Sequence, residues 1–143
     1  MKRKLLALIV ALATITMAFM LTACGKTKFD KDKNELAITV TDSVMEITAE
    51  TTLEDYMKKL QSKEEISFKG TVDSVYGLYI TEINGVKAGV SEAWMLYTTD
   101  AANSNSEWGS YEYDGKTLGS ATLGVSNLII KNGETYVWVL QKY

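Results

Sequence analysis

The sequence predicts an α+β domain, and three observations carry that expectation. Several short segments alternate apolar and polar residues at period two, the mark of half-buried strands. Two Asn-Gly pairs, Asn84-Gly85 and Asn132-Gly133, take the positive φ values of tight hairpin turns at little cost. A single stretch, Leu53, Tyr56, Met57 and Leu60, repeats at helical spacing and makes one helical face apolar. Six or so strands and one helix give an α+β domain.

The elements follow in order. Leu36, Ile38 and Val40 alternate with Ala37, Thr39 and Thr41 as a first strand, and Asp42-Ser43 offers a turn. Val44 to Ile47 is then expected as the return arm of a hairpin. Thr51 and Glu54 stand at capping-box spacing ahead of the helix, and Lys58 and Lys59 suit its C-terminal dipole. Tyr76 to Ile83 reads as a strand ending at Asn84-Gly85. Ala93 to Thr98, apolar on both faces, reads as a central strand. Val125 to Ile130 and Tyr136 to Leu140 are expected to pair across Asn132-Gly133 as a terminal hairpin. Between Thr99 and Gly124 lie 26 residues without a clear element, far beyond the usual connection of about 4 to 6.

The N-terminus begins Met1-Lys2-Arg3-Lys4, continues as an apolar run from Leu5 to Leu21, and reaches small residues at Thr22 and Ala23 before Cys24. Basic, apolar and small-residue regions in that order describe a secretory signal peptide. Leu21-Thr22-Ala23-Cys24 resembles the lipobox of bacterial lipoproteins. That resemblance implies a diacylglyceryl group on the Cys24 thiol, cleavage after Ala23 and a protein held on the extracytoplasmic face of the cell membrane. The alternatives are an uncleaved membrane anchor and an ordinary signal peptide. Residues 24–34, polar and mixed in charge, read as the lipidated cysteine and a flexible tether that holds the domain roughly 18 Å from the bilayer. The domain itself is expected at 35–143.

Removing residues 1–23 takes away three of the fifteen basic residues and no acidic one, leaving 12 basic against 18 acidic among 120 residues. An acidic chain without a basic cluster is repelled by phosphate backbones and anionic headgroups, so no nucleic-acid partner is expected. Cys24 is the only cysteine and there is no histidine. With Cys24 committed to lipid, the domain lacks thiolate nucleophiles, imidazole bases and the nitrogen and sulfur ligands of zinc or copper. Asp30-Lys31-Asp32-Lys33-Asn34 lacks the glycine and distal glutamate of a calcium loop. Glu64 with Glu65, Glu107, Glu112 and Asp114 show no catalytic spacing, and neither an enzyme nor a metal site is expected.

The order of hairpin and capped helix, then Gly77-Leu78-Tyr79-Ile80-Thr81-Glu82-Ile83-Asn84-Gly85-Val86-Lys87-Ala88, then Ala93-Trp94-Met95-Leu96-Tyr97, then Leu123-Gly124-Val125 and Lys131-Asn132-Gly133-Glu134-Thr135-Tyr136 resembles a known family. It is that of the bacterial domains related to the C-terminal domain of transcobalamin and intrinsic factor. The resemblance spans about residues 35 to 143. It implies a β-grasp-like mixed sheet crossed by one helix. In the vertebrate carriers the resembling domain closes over cobalamin resting on a large helical domain. A corrinoid or related cofactor is therefore the candidate ligand, and the positions implied to face it are the Trp94 strand and Thr117 to Leu123, including Leu118 and Leu123.

Other candidates come from the residues themselves. Trp94 and Tyr97 lie on opposite faces of one strand, so at least one points into the core. Tyr79 is open to either role, and Trp138, between Val137 and Val139, reads as structural. Trp108, Tyr111 and Tyr113 sit among polar residues, where large rings lose apolar exposure only by folding back or meeting a partner. The ligand-binding candidates are thus Tyr79, Trp94, Tyr97, Trp108, Tyr111, Leu118 and Leu123. The expected function is a non-catalytic, membrane-anchored module that binds a small ligand and acts with a transporter or surface protein. The alternative is a protein or cell-wall interaction module.

Overall fold

The computed structural model describes residues 26–143. The expected signal peptide 1–23 and the expected lipid-attachment residue Cys24 lie outside them. A six-stranded sheet takes the order β1-β2-β9-β6-β8-β7 and a smaller one the order β3-β4-β5. In chain order the strands are β1 (Lys26–Asp30), β2 (Glu35–Thr39), β3 (Phe68–Asp73), β4 (Gly77–Ile83) and β5 (Val86–Lys87), followed by β6 (Glu92–Thr98), β7 (Ser104–Tyr113), β8 (Lys116–Ala121) and β9 (Thr135–Lys142). One helix, α1 (Leu53–Ser62), lies between β2 and β3. The α+β class stands. In place of one mixed sheet, the strands form two sheets in which every pairing is antiparallel.

The expected tether is a strand. Lys26–Asp30 pairs antiparallel with β2, and Phe29 packs against the core while Lys26 and Lys28 take the other face. The turn between them is held by Asp30, whose Oδ1 accepts from the amides of Asp32 (3.0 Å) and Lys33 (3.3 Å), and by Asn34 at φ 48°. The hairpin partner of β2 thus precedes it. Residues 44–47 form no strand; Val44 is buried, and Met45 and Ile47 pack on the core as an irregular segment.

The helix starts one residue later than its capping spacing suggested. Thr52 is the N-cap: its hydroxyl accepts from the Asp55 amide (3.2 Å) while Asp55 accepts from the Thr52 amide (3.0 Å), a reciprocal box. Leu53, Tyr56, Met57 and Leu60 face the core, as their spacing requires. Further first-turn amides are satisfied by residues 125–130. Leu53 N donates to Leu128 O (2.9 Å) and Glu54 N to Val125 O (3.1 Å). That duty is why 125–130 is not a strand, although Val125, Leu128 and Ile130 are buried. The terminal hairpin is therefore absent, and β9 instead lies between β2 and β6.

Three further strands replace expected irregular chain. Phe68–Asp73 becomes β3, and residues 104–121 become the β7–β8 hairpin, turned by Asp114 (φ 50°) and Gly115 (φ 73°). A short 3-10 turn, Ala101–Asn103, leads into β7. β6 is central as expected, between β9 and β8.

The large sheet has two buried faces. On one, Leu36, Ile38, Trp94, Leu96 and Trp138 pack with α1 and the small sheet. On the other, Ala37, Tyr97, Leu118, Val137 and Val139 form a second cluster, covered by Tyr111 and Tyr113. Tyr111 of β7 hydrogen-bonds Glu35 of β2, although three strands separate them in the sheet. The sheet is curled strongly enough to bring its flanks together around this second cluster.

Replacing Thr52 by Ala should lower the unfolding free energy by about 1 kcal/mol. Thr52→Ser, which keeps the accepting oxygen, should unfold close to the parent in urea.

Candidate functional site

The seven sequence candidates separate. Tyr79, Trp94 and Leu123 meet at an apolar cleft of about 190 Å³ between the sheets, which Met95 and Trp138 complete. Its floor is rigid. Trp94 is buried and its Nε1 donates to the Val86 carbonyl (3.1 Å), tying β6 to the small sheet. Trp138 sits opposite Leu96 in the register and is 5 % exposed. Its indole Nε1 is buried without a hydrogen-bond partner among the described residues. The rim is apolar and open: Tyr79 is 52 %, Leu123 45 % and Met95 38 % exposed.

The position of the rim depends on a polar clamp. Ser126 Oγ accepts from the Leu78 amide (2.9 Å) and donates to Glu54 Oε2 (2.5 Å), joining the start of β4 to the first turn of α1. Lys58 closes on Glu54 at 2.6 Å. The Lys58 hydrogen bond, followed by that of Ser126, holds the Glu54 carboxyl below its usual range. Gly77 is needed beside this clamp, since its φ is 79° and an added Cβ would lie 2.6 Å from Ser126.

Tyr97, Tyr111 and Leu118 belong to the opposite face of the sheet. Leu118 is fully buried, and the Tyr97 and Tyr111 rings stack with centroids 5.5 Å apart. Tyr97 Oη donates to Gln141 Oε1 (2.6 Å) and Tyr111 Oη donates to the buried Glu35 carboxylate. These side chains are occupied with one another. Trp108 stands apart, 65 % exposed in the irregular part of β7 between Asn105 and Ser110.

Sequence reasoning assigned Trp138 to structure alone and did not consider Met95. Trp138 shares the face of Trp94 and Leu96, and this was legible only through the pairing of β6 with β9. It also passed over Val72, Val75 and Tyr76, all exposed on the β3–β4 hairpin beside the cleft, where three large apolar residues in a polar stretch were the available signal. Of the carboxylates singled out for acid-base chemistry, Glu112 and Asp114 line one recess and the others stand apart from it. Glu64 and Glu65 follow α1, Glu107 lies near Trp108, Glu112 accepts from the Thr117 hydroxyl and Asp114 forms a turn. Among the described residues no group of three or more metal-ligating side chains stands together.

Burial pushes the Tyr111 phenol up to about 12 from 10.0, and its hydrogen bond to Glu35 acts in the same direction. A phenol raised in the folded state stabilises the fold fully below its unfolded value, and that contribution is lost as pH rises through the folded one. Unfolding free energy should therefore fall between about pH 10 and 12. Tyr111→Phe should be less stable at neutral pH and lose less over that interval; an unchanged alkaline slope would refute this role for Tyr111.

Residues 50–104 match the family model described as a domain of unknown function, DUF4430. The matched stretch runs from just before α1 to the start of β7 and supplies Tyr79, Trp94 and Met95, whereas Leu123 and Trp138 lie beyond it. No curated protein matches the chain.

Proposed function

We propose that this chain is an extracytoplasmic lipoprotein, anchored through Cys24, whose cleft covers the apolar face of a small ligand and acts with a transporter or surface partner. The ligand class is a flat or apolar cofactor, such as a corrinoid. The observation that carries the reading is the cleft itself: a buried indole floor ringed by exposed Tyr79, Met95 and Leu123. Its volume of about 190 Å³ is below the roughly 300–1,000 Å³ of pockets that enclose a drug-sized ligand. A large ligand would thus be covered on one face, leaving the other for a second protein. DUF4430 is related to transcobalamin-like domains, which supports the same class. One helix packed across a curled sheet supports a β-grasp-like fold, and the antiparallel pairings are its departure from a mixed sheet.

The interaction-module reading is favoured by a separate observation. Val72, Val75 and Tyr76 are exposed on the β3–β4 hairpin, where apolar side chains invite a protein surface.

Titration of the full chain with cobalamin, cobinamide and haem should quench tryptophan fluorescence and raise the melting temperature. Leu123→Asp should weaken that response at least tenfold, and Trp108→Phe should preserve the thermal shift. If none of the three compounds changes either signal, the corrinoid reading falls. Loss of partner capture by Tyr76→Asp would then favour the interaction module.

A further inference from the structure

Lysines widely separated in sequence meet at one end of the curled sheet. Lys26 and Lys28 lie opposite Thr39 and Ala37 in the β1–β2 register, which sets both on the concave face. Lys116 enters the same region from the start of β8. All three line a cavity of about 500 Å³ with Thr39 and Thr135, whose hydroxyls are 3.0 Å apart. Among the described residues none of the three lysines is in an ion pair.

Carboxylates define where an anion could sit. Asp114 is on the rim, and Glu134 accepts from the Thr99 hydroxyl. Behind Lys28 the cavity borders a recess in which the carboxylates of Asp30, Glu35, Glu112 and Asp114 outnumber the ammonium groups of Lys28 and Lys33. That recess repels an anion, so the favourable side is the outer one, between Lys26 and Lys116. The expectation of a chain without a basic cluster is corrected here: the described residues carry 12 basic and 18 acidic groups, yet the fold gathers lysines that are far apart in sequence.

The second observation is position. β1 begins at Lys26, two residues after Cys24. Two residues of extended chain reach at most about 7 Å. A lipid on Cys24 would therefore put this mouth within reach of the headgroups.

We propose that the mouth between Lys26 and Lys116 receives the phosphate of an anionic lipid headgroup in the membrane that holds Cys24. The proposal rests on lipid anchorage at Cys24, as argued under Proposed function. Basic side chains near an anionic surface strengthen membrane attachment by about fivefold each and supplement the acyl anchor. The phosphate would accept from the two ammonium groups, with the Thr39 and Thr135 hydroxyls as the neighbouring polar wall.

The test uses the full chain, processed by its own cells and reconstituted into vesicles of phosphatidylcholine alone or with phosphatidylglycerol. Flotation reports anchorage, and amine labelling read by mass spectrometry reports each lysine. Lys26 and Lys116 should label at least threefold more slowly in the phosphatidylglycerol vesicles, while exposed Lys63 and Lys142 keep their rates. Lys116→Gln should reduce the protection of Lys26. A chain that does not float loses the anchor reading and this proposal with it. A chain that floats with Lys26 and Lys116 labelled equally in both vesicles overturns the headgroup site alone. Equal protection by inorganic phosphate on neutral vesicles would assign the mouth to a free anion and overturn the lipid source.

Discussion

Curvature of the six-stranded sheet is the constraint on which the rest of this molecule depends. A flat sheet would leave Tyr97, Leu118, Val137 and Val139 facing water, since the helix and the small sheet cover only the opposite side. Curling lets β7 lay Tyr111 and Tyr113 over that cluster, and the Tyr111 hydroxyl then reaches Glu35. A buried carboxylate without such a donor would be strongly destabilising, because its lost hydration would be uncompensated. The contact therefore reports closure: Glu35 is tolerated inside only while the two flanks of the sheet are together.

The same curvature gives the two faces different chemistry. One carries the helix, the small sheet and the cleft floored by Trp94 and Trp138. The other opens at its end between β1 and the β7–β8 turn, where lysines gather. Neither feature is made by one segment. The cleft needs β4 held against α1 through Ser126 and Glu54, and α1 in turn takes its first hydrogen bonds from residues 125–130. A short irregular segment thus fixes both the start of the helix and the wall of the cleft.

Much of this was legible from the residues, and the failures have physical causes. Amphipathic periodicity located α1, and an apolar run on both faces located β6, because a helix buries one stripe while a central strand is covered on both sides. β1, β3 and β7 were missed because most of their side chains are polar or exposed; they earn strand structure from hydrogen bonding to a neighbour, which leaves little local trace. Asp114-Gly115 was a usable turn signal in the middle of the supposed loop. Val125–Ile130 misled in the other direction: its apolar content is real core, but its carbonyls serve the helix. At the cleft, Tyr79 was named for its residue type, and Trp94 and Leu123 through the resemblance. Trp138 and the Lys26–Lys116 mouth depend on pairings across the whole chain and could not be read locally.

The place of β9 has a consequence for how the molecule is made. It comes latest in sequence of all the strands, yet it sits between β2 and β6, with Val139 opposite Glu35 and Leu140 opposite Trp94. Until Thr135–Lys142 has emerged, β2 and β6 have no common neighbour and neither hydrophobic cluster can close. Pairings between such distant parts of a chain are slow to form because loop closure must precede their reward. A growing chain would thus stay unfolded until β9 is available, and acquire its structure in a single late step.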